Sequence, residues 1–189
     1  MTAFDWNQFN TQIIGATTLD SICTIWDIDV QQPISKVHCH PSEVYDISFS
    51  NSSMDVFSTC GKDGSIRLFD MRCLNKYSVL HENSDQSPIL RLSWNPVNSQ
   101  TIAYLTENRN AVSLIDIRSP EQELLLKSHS SPVNAVDWSP SQENVLITAG
   151  EDKRVICIKK LFIRSVWYGI STDCKRIMNV SCEVKCIKE

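Results

Sequence analysis

The side chains in this chain that could carry out chemistry are histidine, aspartate and hydroxyl groups that recur at one spacing. Two segments each contain a His, a Thr and an Asp in the same order and at the same separation: His40, Thr59 and Asp63, then His129, Thr148 and Asp152. A hydrolase built on Ser, His and Asp also needs its nucleophile on a strained turn, with a base in reach. No Gly-x-Ser-x-Gly sequence occurs. We therefore predict that the chain is not an enzyme, with a hydrolase as the weaker alternative.

Neither the cysteines nor one glycine-rich turn matches the pattern of a metal site or a cofactor site. Cys174, Cys182 and Cys186 match no paired Cys-x-x-Cys spacing, and no His lies in that part of the chain. The segment 61–64, Gly-Lys-Asp-Gly, lacks the Gly-Lys-Ser/Thr ending of a phosphate-binding loop and leads into a strand. We predict no metal, no cofactor and a hairpin turn at 61–64.

Composition and charge argue against nucleic-acid binding, a membrane span and secretion. The chain has 189 residues and a net charge of −4, which suits one globular domain and argues against electrostatic binding of nucleic acid. No apolar window is long enough to span a membrane, and the N-terminus lacks the basic and apolar segments of a signal peptide. Eight cysteines without such a signal favour reduced thiols. We therefore expect a protein of the cytoplasm and the nucleus.

A repeat of about 43 residues organises the chain. Four strand-like segments close successive units, and the first three end in Asp: 23–27, 66–70, 112–116 and 155–159. An aromatic residue precedes the end of each unit by a nearly constant distance: Trp6, Phe49, Trp94 and Trp138. Within a unit, apolar residues alternate or form short blocks rich in Val, Ile, Leu and Phe, which is typical of strands. The sequence predicts an all-β fold.

This period, with several strands in each unit and a closing Trp-Asp, resembles that of WD-repeat β-propellers. The resemblance implies that each unit is a blade. It also implies that a His, a Ser or Thr, an Asp and the terminal Trp form a structural hydrogen-bond network under the blade. The matching residues are His40, Thr59 and Asp63; His129, Thr148 and Asp152; and, in the first unit, Asp20 and Trp26. The third unit departs from the pattern, with Asp85 and Arg109 at the His and Asp positions.

A narrower resemblance is to the transparent-testa-glabra, or anthocyanin-regulating, type, whose animal members are cullin-ligase-associated WD-repeat factors. It covers about residues 4–155 and rests on runs such as 4–7 (Phe-Asp-Trp-Asn), 90–95 (Leu-Arg-Leu-Ser-Trp-Asn) and 115–118 (Ile-Asp-Ile-Arg). Such proteins are seven-bladed and begin upstream of the first unit found here. The resemblance therefore implies about four blades, a partial arc of a seven-bladed propeller.

The repeat also sets the expected domain organisation. We predict WD repeats over residues 1–158, in units of about 1–38 (partial), 39–80, 81–126 and 127–158. Residues 159–189 form a basic, Cys-containing tail without repeat landmarks. Two interpretations of this end stay open: a truncated or alternatively ended, non-functional version of a longer protein, or a specialised tail for an acidic partner.

For function, the pattern favours a non-catalytic scaffold that binds other proteins. The segments 69–72 (Phe-Asp-Met-Arg) and 115–118 (Ile-Asp-Ile-Arg) resemble the Trp-Asp-x-Arg signature by which WD-repeat proteins dock on the cullin-ligase adaptor. We therefore predict Arg72 and Arg118 as partner-binding residues of a substrate receptor of a cullin-RING ubiquitin ligase. An exposed Arg after a strand end is the competing interpretation. The resemblance also implies kinases or transcription factors as partners, and we expect no direct nucleic-acid or membrane binding.

Overall fold

A computed structural model describes residues 1–159, which form fifteen strands in four antiparallel sheets. Sheet 1 contains β1 (Ala3–Trp6), β2 (Ile13–Thr17), β3 (Ile22–Asp27) and β4 (Gln32–His38). Sheet 2 contains β5 (Val44–Phe49), β6 (Val56–Gly61), β7 (Ser65–Asp70) and β8 (Tyr77–Glu82). Sheet 3 contains β9 (Ile89–Trp94), β10 (Thr101–Thr106), β11 (Ala111–Asp116) and β12 (Ser119–Lys127), and sheet 4 contains β13 (Val133–Trp138), β14 (Val145–Gly150) and β15 (Val155–Lys159).

Each sheet is a meander in which consecutive strands pair, so the all-β prediction is confirmed. The tail from residue 160 to 189, with Cys174, Cys182 and Cys186, lies outside the described residues. The turn predicted at 61–64 joins β6 to β7 as a hairpin. Gly64 has a φ of 71°, and the equivalent turns of sheets 1 and 4 place Ser21 and Lys153 in the same left-handed region. That conformation favours Gly, and it lets connections of three residues in sheet 2 and four residues in sheets 1 and 4 reverse the chain.

The sheets pack face to face in chain order, and each has two distinct faces. The leading face packs on the preceding sheet and carries a cross-strand row of three apolar residues. In sheet 2 this row is Phe49, Phe57 and Phe69; in sheet 3, Trp94, Ile102 and Ile115; in sheet 4, Trp138, Leu146 and Ile158. All nine side chains are buried. The trailing face packs on the following sheet; in sheet 1 it carries the small residues Gly15 and Cys23 beside Ile25.

The first strands of the four sheets line a cavity of about 460 Å³. Polar side chains on these strands connect neighbouring sheets. An Asp5 carboxylate oxygen accepts a hydrogen bond from the Phe49 amide at 2.7 Å, and Asp46 accepts one from the Leu92 amide at 2.9 Å. Burial raises the pKa of Asp46 to about 6, although the two backbone amides that it binds oppose that shift. These hydrogen bonds join sheet 1 to sheet 2 and sheet 2 to sheet 3. They help to hold in place the turns at the two ends of the strands, which form the two rims of the structure.

Candidate functional site

The predicted residues of sheet 2 meet in a closed hydrogen-bond network. His40 precedes β5, Thr59 lies within β6 and Asp63 lies in the β6–β7 turn. The His40 Nδ1 atom is 2.9 Å and 3.0 Å from the two Asp63 carboxylate oxygens, and Nε2 is 2.9 Å from the Thr59 hydroxyl. His40 and Thr59 are buried, so each needs the partner that the other residues supply.

Two residues that the sequence analysis missed extend this network. The Ser65 hydroxyl donates a hydrogen bond to Asp63 at 2.9 Å. The Arg67 guanidinium bonds Asp63 at 3.0 Å and the Cys39 carbonyl at 3.0 Å, and lies over the Tyr77 ring. Burial alone would raise the pKa of Asp63, but the hydrogen bonds from His40 and Ser65 lower it to about 2. Ser65 follows Asp63 by two residues, which is the spacing of an Asx turn and the only local signal of its role.

Sheet 4 repeats the arrangement at the same positions. The His129 Nδ1 atom is 3.0 Å from both Asp152 carboxylate oxygens, and Nε2 is 2.8 Å from the Thr148 hydroxyl. The hydrogen bond from His129 lowers the pKa of Asp152. Arg154 and Ile156 occupy the positions of Ser65 and Arg67, so the network of sheet 4 has fewer members.

A glycine next to each histidine ring makes room for both networks. A Cβ atom on Gly61 would lie 2.5 Å from the Glu43 carbonyl oxygen and 3.3 Å from the His40 ring. A Cβ atom on Gly150 would lie 2.7 Å from the His129 ring. Neither φ angle is positive, so the close approach of other atoms, not backbone freedom, requires glycine at these positions.

We expect Gly61→Ala to lower the free energy of unfolding by about 1–3 kcal/mol, the usual cost of overpacking. The clash at Gly61 is with backbone, which cannot move without breaking the β5–β6 pairing. Gly15→Ala is the control, because its closest contact is the flexible end of the Ile47 side chain. Urea unfolding of the two variants measures the difference. A Gly61→Ala cost no larger than that of Gly15→Ala would contradict the tight fit.

Sheets 1 and 3 lack this network. Asp20 is exposed in the β2–β3 turn and Trp26 is partly exposed near the end of β3; no side-chain hydrogen bond joins either residue to another described residue. In sheet 3 the residues at the His and Asp positions form an ion pair instead, with Arg109 and Asp85 2.9 Å apart near the surface. The structure therefore brings together six of the eight network residues named from the sequence.

Sheet 3 places a different polar group at its centre. The fully buried Tyr104, at the position of Thr59, is 2.8 Å from His81 Nε2 on β8 and donates a hydrogen bond to Glu123 on β12 at 2.8 Å. Burial and the charge of Glu123 raise the pKa of Tyr104. No local sequence pattern indicates this contact, because His81 belongs to sheet 2 and the other two residues belong to sheet 3.

Arg72 and Arg118 share one geometry on one rim. Each follows the third strand of its sheet and turns back to the Asp two residues earlier. Arg72 bonds Asp70 at 2.9 Å through Nε and 2.6 Å through Nη2; Arg118 bonds Asp116 at 3.0 Å and 2.7 Å through the same atoms. Both guanidinium groups are exposed. The hydrogen bond from Arg72 lowers the pKa of Asp70 to about 2, and the bond from Arg118 lowers the pKa of Asp116. Both bidentate pairs fix their arginine in the same orientation.

The arrangement offers little for catalysis within residues 1–159. The hydroxyls of Thr59 and Thr148 are buried and bonded to histidine rather than open to a substrate. In the same range, no group of three His, Cys, Asp or Glu side chains is placed to hold a metal ion. The described part of the chain likewise contains no helix long and apolar enough to cross a membrane. The two rims and the outer faces of the sheets remain as surfaces for other molecules.

Comparisons with known proteins agree with this architecture. The sequence profile of the WD domain, G-beta repeat, matches residues 31–70 and 120–159. A WD repeat-containing protein of Saccharomyces cerevisiae is 31% identical over 175 residues, covering 82% of this chain and 34% of the relative. The DDB1- and CUL4-associated factor 7 homolog of Dictyostelium discoideum is 32% identical over 157 residues, covering 82% of this chain and 48% of the relative.

A WD repeat-containing protein of Schizosaccharomyces pombe is 36% identical over 169 residues, covering 80% of this chain and 39% of the relative. The chain thus spans between about a third and a half of the length of these relatives. The repeated sheets, the two His–Thr–Asp networks and the profile matches lead to one conclusion. The chain belongs to the WD40-repeat family, and its described residues form part of a WD40 β-propeller.

Proposed function

We propose that this chain is a non-catalytic scaffold that docks on the cullin-ligase adaptor through the rim that carries Arg72 and Arg118. WD-repeat proteins generally serve as protein-interaction scaffolds. The observation that carries the proposal is the matching geometry of the two Asp-x-Arg turns in neighbouring sheets. Two exposed arginines held in one orientation on one rim form a repeated binding element, whereas unrelated surface arginines have no reason to share a conformation.

The chemistry of arginine supports this rim as a docking surface. A planar guanidinium can bind a carboxylate or a backbone carbonyl with two donors, and arginine is common among interface hot spots. In both turns, Nε and Nη2 bind the local Asp, which leaves Nη1 for a partner. The bidentate pair also lowers the entropy cost of binding, because the side chain is already ordered.

One relative supports the choice of partner. Its name describes it as associated with DDB1 and CUL4, and it matches 82% of this chain. We propose that DDB1 is the adaptor for this chain and that the chain acts as a substrate receptor of that ligase. The narrower transparent-testa-glabra type, with kinases or transcription factors as partners, stays a prediction, because no relative reported above carries that name. Location in the cytoplasm and nucleus is likewise a proposal, and it rests on the sequence alone.

A pull-down with purified DDB1 tests the docking rim. We expect the full-length chain to retain DDB1, and we expect the double variant Arg72→Ala plus Arg118→Ala to lose most of it. The matched control is Lys153→Ala plus Arg154→Ala, which removes the same charge from exposed residues of the β14–β15 turn, at the opposite end of the third strand.

Three other outcomes would count against the proposal. Equal recovery by the wild type and the Arg72/Arg118 variant would leave these arginines as ordinary solvated charges. Equal loss in both double variants would indicate a general charge effect. Failure of the wild-type chain to bind DDB1, a kinase or a transcription factor would favour the alternative of a non-functional product.

A further inference from the structure

The described residues contain four Ser-Pro dipeptides, the sequence that proline-directed protein kinases recognise, at 87–88, 119–120, 131–132 and 139–140. Ser119 is exposed, whereas the other three serines are partly buried. Two of those three also have their hydroxyl groups engaged: Ser87 donates a hydrogen bond to Asp85, and Ser139 accepts hydrogen bonds from two backbone amides of its own turn. Ser119 is therefore the serine of this set that a modifying enzyme reaches most easily.

The chain around Ser119 departs from the regular strand pairing at the outer edge of sheet 3. Asp116 of β11 pairs with Ser119 of β12. The preceding pair along β11 joins Leu114 to Leu124. Residues 120–123 therefore lie opposite a single residue of β11, and three of these four residues are exposed. A bulge of this kind interrupts the ladder and bends the strand. Because a kinase binds its substrate as an extended segment, this bulge on an outermost strand makes Ser119 accessible.

Ser119 also lies next to one of the two arginines of the docking rim. It follows Arg118 in the chain and pairs with Asp116, the residue that Arg118 binds. The Cβ atoms of residues directly opposite on antiparallel strands are about 4.5–5.5 Å apart, so a group attached to Ser119 lies beside the ion pair. In sheet 2, the residue after Arg72 is Cys73, which has no hydroxyl to modify in this way.

We infer that Ser119 is a phosphorylation site of a proline-directed Ser/Thr kinase, and that its phosphate binds Arg118 and closes this part of the docking rim. In the transfer, the Ser119 hydroxyl oxygen bonds to the γ-phosphorus of ATP. The bond from that phosphorus to the β-phosphate oxygen breaks, ADP leaves, and the hydroxyl proton passes to the catalytic base of the kinase. The effect on docking rests on the function proposed above, whereas the modification site does not.

The phosphate changes this part of the rim in two ways. It brings a charge of about −1.5 to −2 and three acceptor oxygens at neutral pH. Arginine–phosphate pairs are among the strong hydrogen bonds, so the phosphate occupies the Nη1 group of Arg118 that the pair with Asp116 leaves for a partner. Its negative charge also repels a partner carboxylate. Arg72 keeps its geometry, so phosphorylation removes one of the two binding elements.

Treatment of the full 189-residue chain with an active mitogen-activated protein kinase and Mg-ATP tests the site. We expect peptide mass spectrometry to place phosphate on Ser119 in the wild type and to find none there in Pro120→Ala, which keeps the hydroxyl but removes the recognition element. Ser131→Ala is the matched control, because it removes another Ser-Pro hydroxyl and should leave the phosphorylation of Ser119 unchanged. Phosphate on the other serines without Ser119, or equal phosphorylation of Ser119 in Pro120→Ala, would overturn the site.

A pH titration of the phosphorylated chain, followed by phosphorus NMR, tests the contact with Arg118 without any partner protein. A neighbouring cation favours the doubly charged phosphate, so the second pKa of the phosphate should be lower in the wild type than in Arg118→Ala. Arg72→Ala is the control and should leave that pKa unchanged. Equal pKa values in the wild type and in Arg118→Ala would overturn the contact.

The Kd for purified DDB1 separates this inference from the proposed function. We expect phosphorylation to weaken the binding of the wild type by about 30-fold, as loss of a hot-spot arginine would, and to weaken Arg118→Ala by less. If the unphosphorylated wild type does not bind DDB1, the docking function is wrong, and the mass spectrometry and NMR results still decide the site and the contact. If the wild type binds DDB1 equally before and after phosphorylation, the closing of the rim is wrong and the docking function stands.

Discussion

Replacing Phe57 with alanine is expected to lower the free energy of unfolding by about 3–5 kcal/mol, the usual cost of removing a buried aromatic ring. Phe57 is fully buried at the contact between sheets 1 and 2. Its ring stacks on Phe69 with centroids 5.3 Å apart and meets Phe49 edge-on at 5.9 Å. Two packed sheets cannot collapse into the space that the ring leaves, so the cavity adds to the lost transfer free energy.

Urea unfolding followed by far-ultraviolet circular dichroism measures this change. Phe9→Ala is the matched control, because Phe9 is the same residue type in the exposed β1–β2 turn, and we expect its effect to stay within about 0.5 kcal/mol. Similar costs for the two variants would show that the ring of Phe57 is not buried between sheets as described here.

The second large effect is expected from Asp63→Ala, which should lower the free energy of unfolding by about 1–3 kcal/mol. The substitution leaves His40, Ser65 and Arg67 without a shared acceptor, and two of them are buried. Asp20→Ala is the matched control, since Asp20 occupies the same turn position in sheet 1 but is exposed. The structural role predicted for Asp63 is wrong if the two variants unfold at the same urea concentration.

The same carboxylate predicts a pH dependence with a definite sign. The pKa of Asp63 is about 2 in the folded chain, whereas an unfolded aspartate has a pKa of about 3.9. The ionised group therefore stabilises the fold fully above about pH 4, and this contribution is lost as the pH falls toward 2. The difference in unfolding free energy between wild type and Asp63→Ala should shrink over that window. A difference that stays constant from pH 6 to pH 2.5 would contradict the network.

The sequence predicts the strands well because period-two alternation and turn residues are local signals. It also places His40, Thr59 and Asp63, since a fixed spacing that occurs twice is visible without a structure. Tyr104 could not be found this way, because its partners His81 and Glu123 lie in different sheets and only packing brings them together. The sequence analysis also missed Arg67. Sheet 4 has Ile156 at the same position, so comparison of the repeats does not indicate that a charged residue there belongs to the network.

Trp26 illustrates a second limit of reasoning from repeats. A terminal Trp is expected to join the buried network, and the sequence shows one only in the first unit. Whether that residue is buried depends on which sheet covers the leading face, and the described residues supply no sheet there. Phe69, Ile115 and Ile158, which lack an indole, are the buried residues at that position. The character of a repeat position is therefore set by the neighbouring sheet as much as by its own side chain.

The most direct test of the docking rim is the Kd of the full chain for purified DDB1, measured by biolayer interferometry for wild type, Arg72→Ala, Arg118→Ala and the double variant. A hot-spot arginine costs about 2 kcal/mol or more when truncated, which corresponds to roughly 30-fold in Kd. We predict that each single variant weakens binding by about this factor and that the double variant weakens it further. Equal Kd values for wild type and all three variants would contradict the account.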